Sequence, residues 1–573
     1  MIDVMAKRDG KTVDLSRFLL KRSLMGYPCA IFLGIPYARA PLNKLRFEKP
    51  LPHHGWPGIL VANRYRSACM QPTGNQHFLE AGAPVSEDCL YLNVFAPARK
   101  TKGGYPVFVW VHGGGYLYGT AATLHPNDVC LKLVSHDVVV VTLNYRLGPF
   151  GFLDLNRPDL DNNVALWDIL QALKWVRENV RTFGGDPSRV TVGGHGSGAA
   201  SVSALSISPY ASNLFEKLIL MSGSVLAPWA ITNHSVLSTQ SLIKALNCHR
   251  VSDQLGCLRN QTAPRVSAAT NLLWSISTNG YSMISDPKEI LETGRFRSVP
   301  TVIGLSQDEA AFLVFQKLAN LSKSLTADSF FRRLIPEFVS DFLKTNNHPL
   351  AEALKYQYYS WHPSGNLYDY LKTSIQLYTD FLYRAPVLQE SVLRSQMPGS
   401  NILVYNFAQK ANIFLGHSTV WKGSPHGLDL LHLWGTSSVR PQKGFFRIST
   451  TNMDSPLSLL WQRFIKNRTG SNVNAMRQFR WLPFHKAEPY VLDIGPTLKL
   501  SSANLQQRME FWTDFLPRLL ELIRTNYSST ILNPIENYAT TTITDHSDQP
   551  SAMVCDTNIY DKLTGHSTVG TST

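Results

Sequence analysis

The residues whose types could do chemistry converge on one stretch, Val190-Thr191-Val192-Gly193-Gly194-His195-Gly196-Ser197-Gly198-Ala199-Ala200-Ser201. Alternating apolar residues enter a glycine cluster, and small residues lead out toward Val202, Ala204 and Leu205. That order spells a strand, a sharp turn and a helix. A Gly-x-Ser-x-Gly turn at such a junction exposes a serine as a nucleophile. Here the frame reads Gly194-His195-Gly196-Ser197-Gly198, and its tip is glycine, which carries no nucleophile. Moving the frame by one residue would put Ser197 at the tip. It would also need glycine at 195 and 199, where the chain has His195 and Ala199. A tip serine holds a strained backbone at about 1–3 kcal/mol, whereas glycine adopts it cheaply.

The elements that must hold this turn alternate. Pro106 to His112 is an apolar strand running into Gly113-Gly114-Gly115, and Val138 to Asn144 is a continuous apolar, β-branched run. Such a run predicts a strand buried on both faces, hence parallel. Ala165 to Val180 carries Leu166, Ile169, Leu170, Leu173 and Val176 as one helical stripe. Pro300 to Gly304 reads as another strand with Asp308-Glu309 just past it, and Ile402 to Tyr405 as the next, with His426 in the region that follows. Strands alternating with helices predict an α/β fold with a right-handed, mostly parallel sheet. Residues 503 to 524 are amphipathic but interrupted by Pro517. From about Asn526 the chain turns polar and Ser/Thr-rich. We read 1–525 as one large domain and 526–573 as a disordered tail.

Composition narrows the classes. Of 573 residues, 44% are hydrophobic and 17% charged, which suits a globular chain with a sizeable core. The net charge of +14 is dispersed, without the dense Lys/Arg run of a nucleic-acid arm, so no nucleic-acid partner is expected. The basic surface reads as solvated, with affinity for an acidic partner or glycan as the sharper alternative. Cys69/Cys89 and Cys248/Cys257 each bracket a loop without zinc-ligand spacing to histidine, so no metal is expected. Two closed loops in an oxidising compartment fit these pairs better than four scattered thiols. Cys29, Cys130 and Cys555 have no assigned mates. Sequons at Asn233, Asn260, Asn320, Asn467 and Asn526 also point to a secreted or surface ectodomain. The first 30 residues hold no signal peptide, and no apolar run is long enough for a membrane span. Either the chain stays cytosolic, or the sequence lacks its natural start, its anchor, or both, and the second is the expectation.

Five stretches carry a resemblance: Phe32-Leu33-Gly34-Ile35-Pro36-Tyr37-Ala38, Ser86-Glu87-Asp88-Cys89-Leu90-Tyr91-Leu92-Asn93, His112-Gly113-Gly114-Gly115, Asn144-Tyr145-Arg146-Leu147-Gly148 and Phe183-Gly184-Gly185-Asp186-Pro187. In this order and spacing they resemble the cholinesterase/type-B carboxylesterase family of α/β-hydrolases, over nearly all of residues 10–520. The resemblance implies a large, mostly parallel central sheet flanked by helices, no cofactor, the two disulfides just named, and a buried pairing of Arg46 with Glu87. It places the acid at Glu309, the base at His426, the oxyanion-hole amides at Gly114, Gly115 and Ser197, and the nucleophile position on Gly196. The elbow matches the family without a gap only when Gly196 is central.

The departures are informative. Ser306 and Ala310 flank the acid where the family usually has Asn and Gly. His195 stands where cholinesterases commonly have Glu, and the Cys69–Cys89 loop has no Trp to hold a quaternary ammonium. Choline esters are not expected to bind. With the nucleophile gone, Glu309 and His426 read as a buried pair kept for packing. Glycine at the tip resembles the neuroligins, which are non-catalytic adhesion members of the family. The segment around Tyr378 and Phe381 resembles their dimer helix, and Phe511, Trp512 and Phe515 the C-terminal helix that pairs with it. Packing of these faces on their own domain is the alternative to a homodimer. The leading expectation is an inactive, esterase-like ectodomain that recognises an extracellular or cell-surface protein. The alternatives are a carboxylic-ester hydrolase using Ser197 or a His-activated water, and a binding protein for a small apolar ligand.

Overall fold

A computed structural model describes residues 28–530 with interruptions, the longer ones at 73–83, 279–282, 320–326, 344–347, 360–366, 436–445, 450–455, 469–473 and 502–507, plus strands at Met5–Arg8 and Lys11–Asp14. Its centre is a ten-stranded sheet. In chain order the strands are β1 Cys29–Pro36, β2 Tyr91–Pro97, β3 Tyr105–Val111, β4 Val139–Leu143, β5 Gly185–His195, β6 Lys217–Met221, β7 Thr301–Ser306, β8 Ile402–Phe407, β9 Val491–Ile494 and β10 Leu498–Ser501. Across the sheet they run β10-β9-β8-β7-β6-β5-β3-β4-β2-β1. From β4 to β9 every neighbouring pair is parallel. The two edges, β4-β2-β1 and β9-β10, are antiparallel. This is the large, mostly parallel sheet of an α/β-hydrolase. The Val138–Asn144 run differs in one respect: β4 is parallel to β3 but antiparallel to β2. Burial on both faces demands apolar residues of the strand and leaves its neighbours' direction open.

Alternation assigns each strand's side chains to two cores. Val107, Val109 and Val111 of β3 join Val139, Val141 and Leu143 on one face. Phe108 and Trp110 join Val138, Val140 and Trp434 on the other. Helix α1, Val164–Asn179, buries the expected Leu166, Ile169, Leu170, Leu173 and Val176. Helix α2, Ser197–Ile207, follows β5 and is buried along its whole length, so it shows no polar face.

A third core is helical. Helix α3, Leu367–Thr379, continues through a π turn at Asp380–Arg384. Helix α4 is Leu428–Trp434. The C-terminal segment passes a π turn at Phe511–Phe515 and continues as helix α5, Leu516–Thr530. Pro517 therefore sits just past the π turn, inside one continuous helical segment that it does not end. Helix α5 runs five residues into the stretch assigned to the tail; residues 531–573, with Cys555, lie outside the described residues. No helix among the described residues is long and apolar enough to cross a membrane.

Disulfides Cys69–Cys89 and Cys248–Cys257 form as expected, and Cys29–Cys130, which the sequence left unassigned, is a third. Arg46 ties the first of these loops to the chain just past the second. Its Nε and Nη2 donate to Glu87 at 2.5 and 2.6 Å, and its Nη1 donates to the carbonyls of Arg259 and Gln261 at 3.0 and 2.6 Å. Cys29–Cys130 pins the edge strand β1 across 101 residues. Replacing both cysteines by serine is expected to remove about 2–4 kcal/mol, because the unfolded chain regains that loop's freedom. Urea unfolding of oxidised wild type against the double variant checks it; equal midpoints would refute it.

Candidate functional site

The elbow takes shape where β5 hands over to α2. Gly196 has φ 54° and ψ −123°, a region open to glycine and strained for other residues. Its N–H donates to the Met221 carbonyl at 2.9 Å, and its carbonyl accepts from the Ala200 N–H at 3.0 Å. The flanking glycines are needed for contact distance. A Cβ on Gly194 would lie 2.6 Å from the Gly198 carbonyl carbon, and one on Gly198 would lie 2.4 Å from the carbonyl oxygens of both Val111 and His112. Strand and helix therefore meet through bare backbone.

The direction of a side chain at the tip decides the frame. A Cβ on Gly196 would stand 3.3 Å from His426 Nε2 and meet nothing closer. Ser197, one residue on, is buried, and its Oγ accepts the Tyr116 N–H at 3.2 Å. The hydroxyl that exists is turned to the β3 loop, and the position that faces the histidine is empty of side chain.

His426 lies in the loop before α4, and its Nδ1 meets Glu309 Oε2 at 2.5 Å. The other Glu309 oxygen accepts the Ser222 hydroxyl at 2.5 Å and the Ser306 N–H at 2.6 Å. These three contacts fix the carboxylate just past β7. Burial disfavours charge on His426, but the Glu309 carboxylate, by charge and hydrogen bond, and Asp429 outweigh it, and the imidazole pKa is raised above its ordinary value. Glu309 is fully enclosed, yet the His426 side chain is 33% exposed. The pair is therefore not the wholly buried remnant expected from the sequence. The absent side chain at 196 leaves the Nε2 face open.

Gly114 and Gly115 form the loop after β3 with φ 124° and 60°. That loop is bound to the elbow by the Tyr116–Ser197 contact, and a Cβ on Gly113 would lie 2.5 Å from the His195 carbonyl oxygen. Gly114, Gly115, Ser197, Gly196, Glu309 and His426, distant in sequence, are thus brought to one end of the parallel strands, where open α/β sheets place ligands. Trp229 and Tyr383 wall the site: Tyr383 packs 5.3 Å from the His426 ring and Trp229 lies 5.9 Å from Tyr383.

Sequence reasoning missed three neighbours. Ser222, which orients Glu309, left no signal. Tyr383 was hidden inside the helical segment around Phe381. Asp429 was in view three residues after His426, but had no partner until the fold placed His195 beside it.

The other sites separate. Asn233 and Asn260 are exposed, Asn467 is half-buried, and the side chains of Asn320 and Asn526 lie outside the described residues. Tyr378 is buried against Phe338 at 5.1 Å, Phe381 packs on Trp512 at 5.2 Å, and Phe511 meets Trp512 at 5.3 Å. Arg508 Nε donates to Asp380 at 2.8 Å and links the two segments. These faces pair within the chain, and of the five aromatic residues only Phe515 is exposed, at 51%.

The carboxylesterase family profile matches residues 20–512. Mouse carboxylesterase 5A is 28% identical over 520 residues, covering 88% of each chain. Carboxylesterase 3 of Pongo abelii is 29% identical over 525 residues, covering 86% of this chain and 88% of its own. Human carboxylesterase 3 is 28% identical over 525 residues, covering 86% of this chain and 87% of its own.

Proposed function

The chain belongs to the carboxylesterase family, and from that premise we propose that it is a non-catalytic member, an esterase-fold ectodomain that acts in recognition or adhesion outside the cell or at its surface. One observation carries the loss of catalysis: the position 3.3 Å from His426 Nε2, where a nucleophile would begin, is Gly196. Covalent acyl transfer needs an oxygen there to attack the carbonyl and hold the acyl group until water releases it. Ser197 is no substitute, because its hydroxyl is engaged with the Tyr116 amide. Three disulfides and two exposed sequons support an oxidising, extracellular setting. The glycine tip, as in the neuroligins, supports recognition as the role. A homodimer, if formed, would use the outer side of α5 with Phe515, since the inner aromatic face is already covered. The domain is one unit in this reading, extended from residue 525 to the end of α5 at Thr530, with a polar tail beyond.

A second reading has its own observation. His426 keeps its acid partner and an open Nε2 face. It could deprotonate a water against an ester carbonyl held by the Gly114, Gly115 and Ser197 amides. Such residual catalysis is about 10³–10⁴ over water, far below ordinary enzymatic enhancements of roughly 10⁶ or more. One experiment separates the two. The full chain is treated with a fluorophosphonate and assayed on an aryl ester. The expected result is no covalent adduct by mass spectrometry and turnover no more than about 10⁴-fold above buffer. Stoichiometric labelling lost in Ser197→Ala would overturn the non-catalytic reading.

A further inference from the structure

Beside the His426–Glu309 pair lie a second imidazole and a second carboxylate that the chemistry above does not use. His195 ends β5, one residue before the elbow tip, and Asp429 opens α4. They are 4% and 0% exposed. His195 Nε2 approaches Asp429 Oδ1 at 3.5 Å, an ion-pair approach longer than a formed hydrogen bond. The His195 and His426 rings are 4.5 Å apart and tilted by 47°. The four groups therefore run Glu309, His426, His195, Asp429 in one contiguous file beneath the elbow.

The surroundings add little competing charge. From the loop after β3, His195 meets backbone: a Cβ on Gly113 would lie 3.6 Å from its Nδ1. From β8, the Tyr405 hydroxyl donates to Asp429 at 3.3 Å, and the Leu430 N–H donates to it at 3.0 Å. From the π turn after α3 comes the Tyr383 ring. A carboxylate shut away from water needs compensating charge or hydrogen bonds. Asp429 has one moderate amide bond, one long hydroxyl contact and an imidazole. Burial acts to raise its pKa, but His195, His426 and Tyr405 reverse this and hold it below the usual carboxylate value. The His195 ring therefore stands between the Asp429 carboxylate and the His426 ring.

We propose that His195 and Asp429 form a second histidine–carboxylate pair packed against His426–Glu309, and that this pair sets the charge His426 presents. His195 is then a positioning residue. It meets no ligand itself, and sets the charge His426 presents to whatever occupies the space at Gly196. The arrangement goes beyond the non-catalytic reading and holds whether or not the site turns over ester.

Histidine titration of the full chain by NMR tests it, with His426→Gln assigning the His426 resonance. Asp429→Asn should lower the His426 pKa by about one unit, because a nearby negative charge is lost. His195→Gln should raise it by about one unit, because Asp429 loses its ion-pair approach to His195 and then acts on His426 alone. Opposite shifts in folded variants support the proposal. An unchanged His426 pKa in both overturns it, and leaves His195 and Asp429 as packing. Should one variant fail to fold, the other decides, and an unchanged His426 pKa in it overturns the proposal.

Discussion

Gly196→Ser is expected to turn this protein into an esterase. The backbone already holds the elbow, and a Cβ added at the tip starts 3.3 Å from His426 Nε2, so the hydroxyl one bond further reaches hydrogen-bond range. His426 is oriented by Glu309 at 2.5 Å, and Glu309 by Ser222 and Ser306. Only the attacking atom is missing from the set that acyl transfer requires. Removing the nucleophile from an intact triad costs about 10⁶ in kcat elsewhere; restoring it here, on a site not selected for turnover, is expected to return at least about 10³-fold over wild type. The variant should also be labelled stoichiometrically by a fluorophosphonate, and Gly196→Ser/His426→Gln should lose both gains. Gly196→Ala separates strain from chemistry. Both single variants should be destabilised by about 1–3 kcal/mol from the positive φ, and only the serine should gain activity. The pH dependence has a definite sign. The base must be neutral, and its pKa is raised, so the gained activity should fall as pH drops through a value above the ordinary imidazole 6.5. A folded, unlabelled Gly196→Ser protein would mean that Glu309 and His426 are no longer aligned for catalysis.

Much of this site is legible in the amino-acid sequence because catalysis leaves marks in backbone chemistry. Gly194 and Gly198 are required by approaches of 2.6 Å and 2.4 Å, so the elbow announces itself as glycine even where its function has gone. The sheet was legible from β-branched runs such as Val139–Leu143, since only a doubly covered strand is so uniformly apolar. Strand direction at the edge was not, because alternation and burial are the same for parallel and antiparallel neighbours. The disulfide Cys29–Cys130 was unreadable for a related reason: 101 residues separate its ends, and only the fold brings β1 beside the helix at Pro126–Lys132. Pro517 read as an interruption of the amphipathic stretch, whereas the helix runs through it just past a π turn. His195 showed the limit most clearly. Its identity could be read as a departure, but its meaning required Asp429, 234 positions away in the chain and 3.5 Å away in space.

The largest loss of stability is expected from Arg146→Met, a change in the Asn144-to-Gly148 motif that supports the site from below. Arg146 clasps Asp168 of α1 with Nε and Nη2, each at 2.7 Å, and its own N–H donates to the same carboxylate at 3.1 Å. Both residues are sealed from solvent. Such a pair adds little over a well-packed apolar replacement, because desolvation offsets most of the attraction. Breaking it is different. Methionine fills much of the same volume but leaves a buried carboxylate with the amide bond alone, and the expected cost is about 3–5 kcal/mol at pH 7. The pH sign follows from Asp168. Burial raises its folded-state pKa even with Arg146 present to lower it, and removing the guanidinium must raise it further. A carboxyl whose folded pKa lies above its unfolded one loses stability as pH rises between the two values. The deficit of Arg146→Met should therefore be greatest at neutral pH and shrink as pH falls toward the unfolded carboxyl value, about 3.9. Urea unfolding at pH 7 and pH 5 measures both points. Arg146→Met/Asp168→Leu, which removes both charges, should recover most of the loss at pH 7. A double variant as unstable as the single one would place the cost in packing around Arg146 and not in the orphaned charge of Asp168.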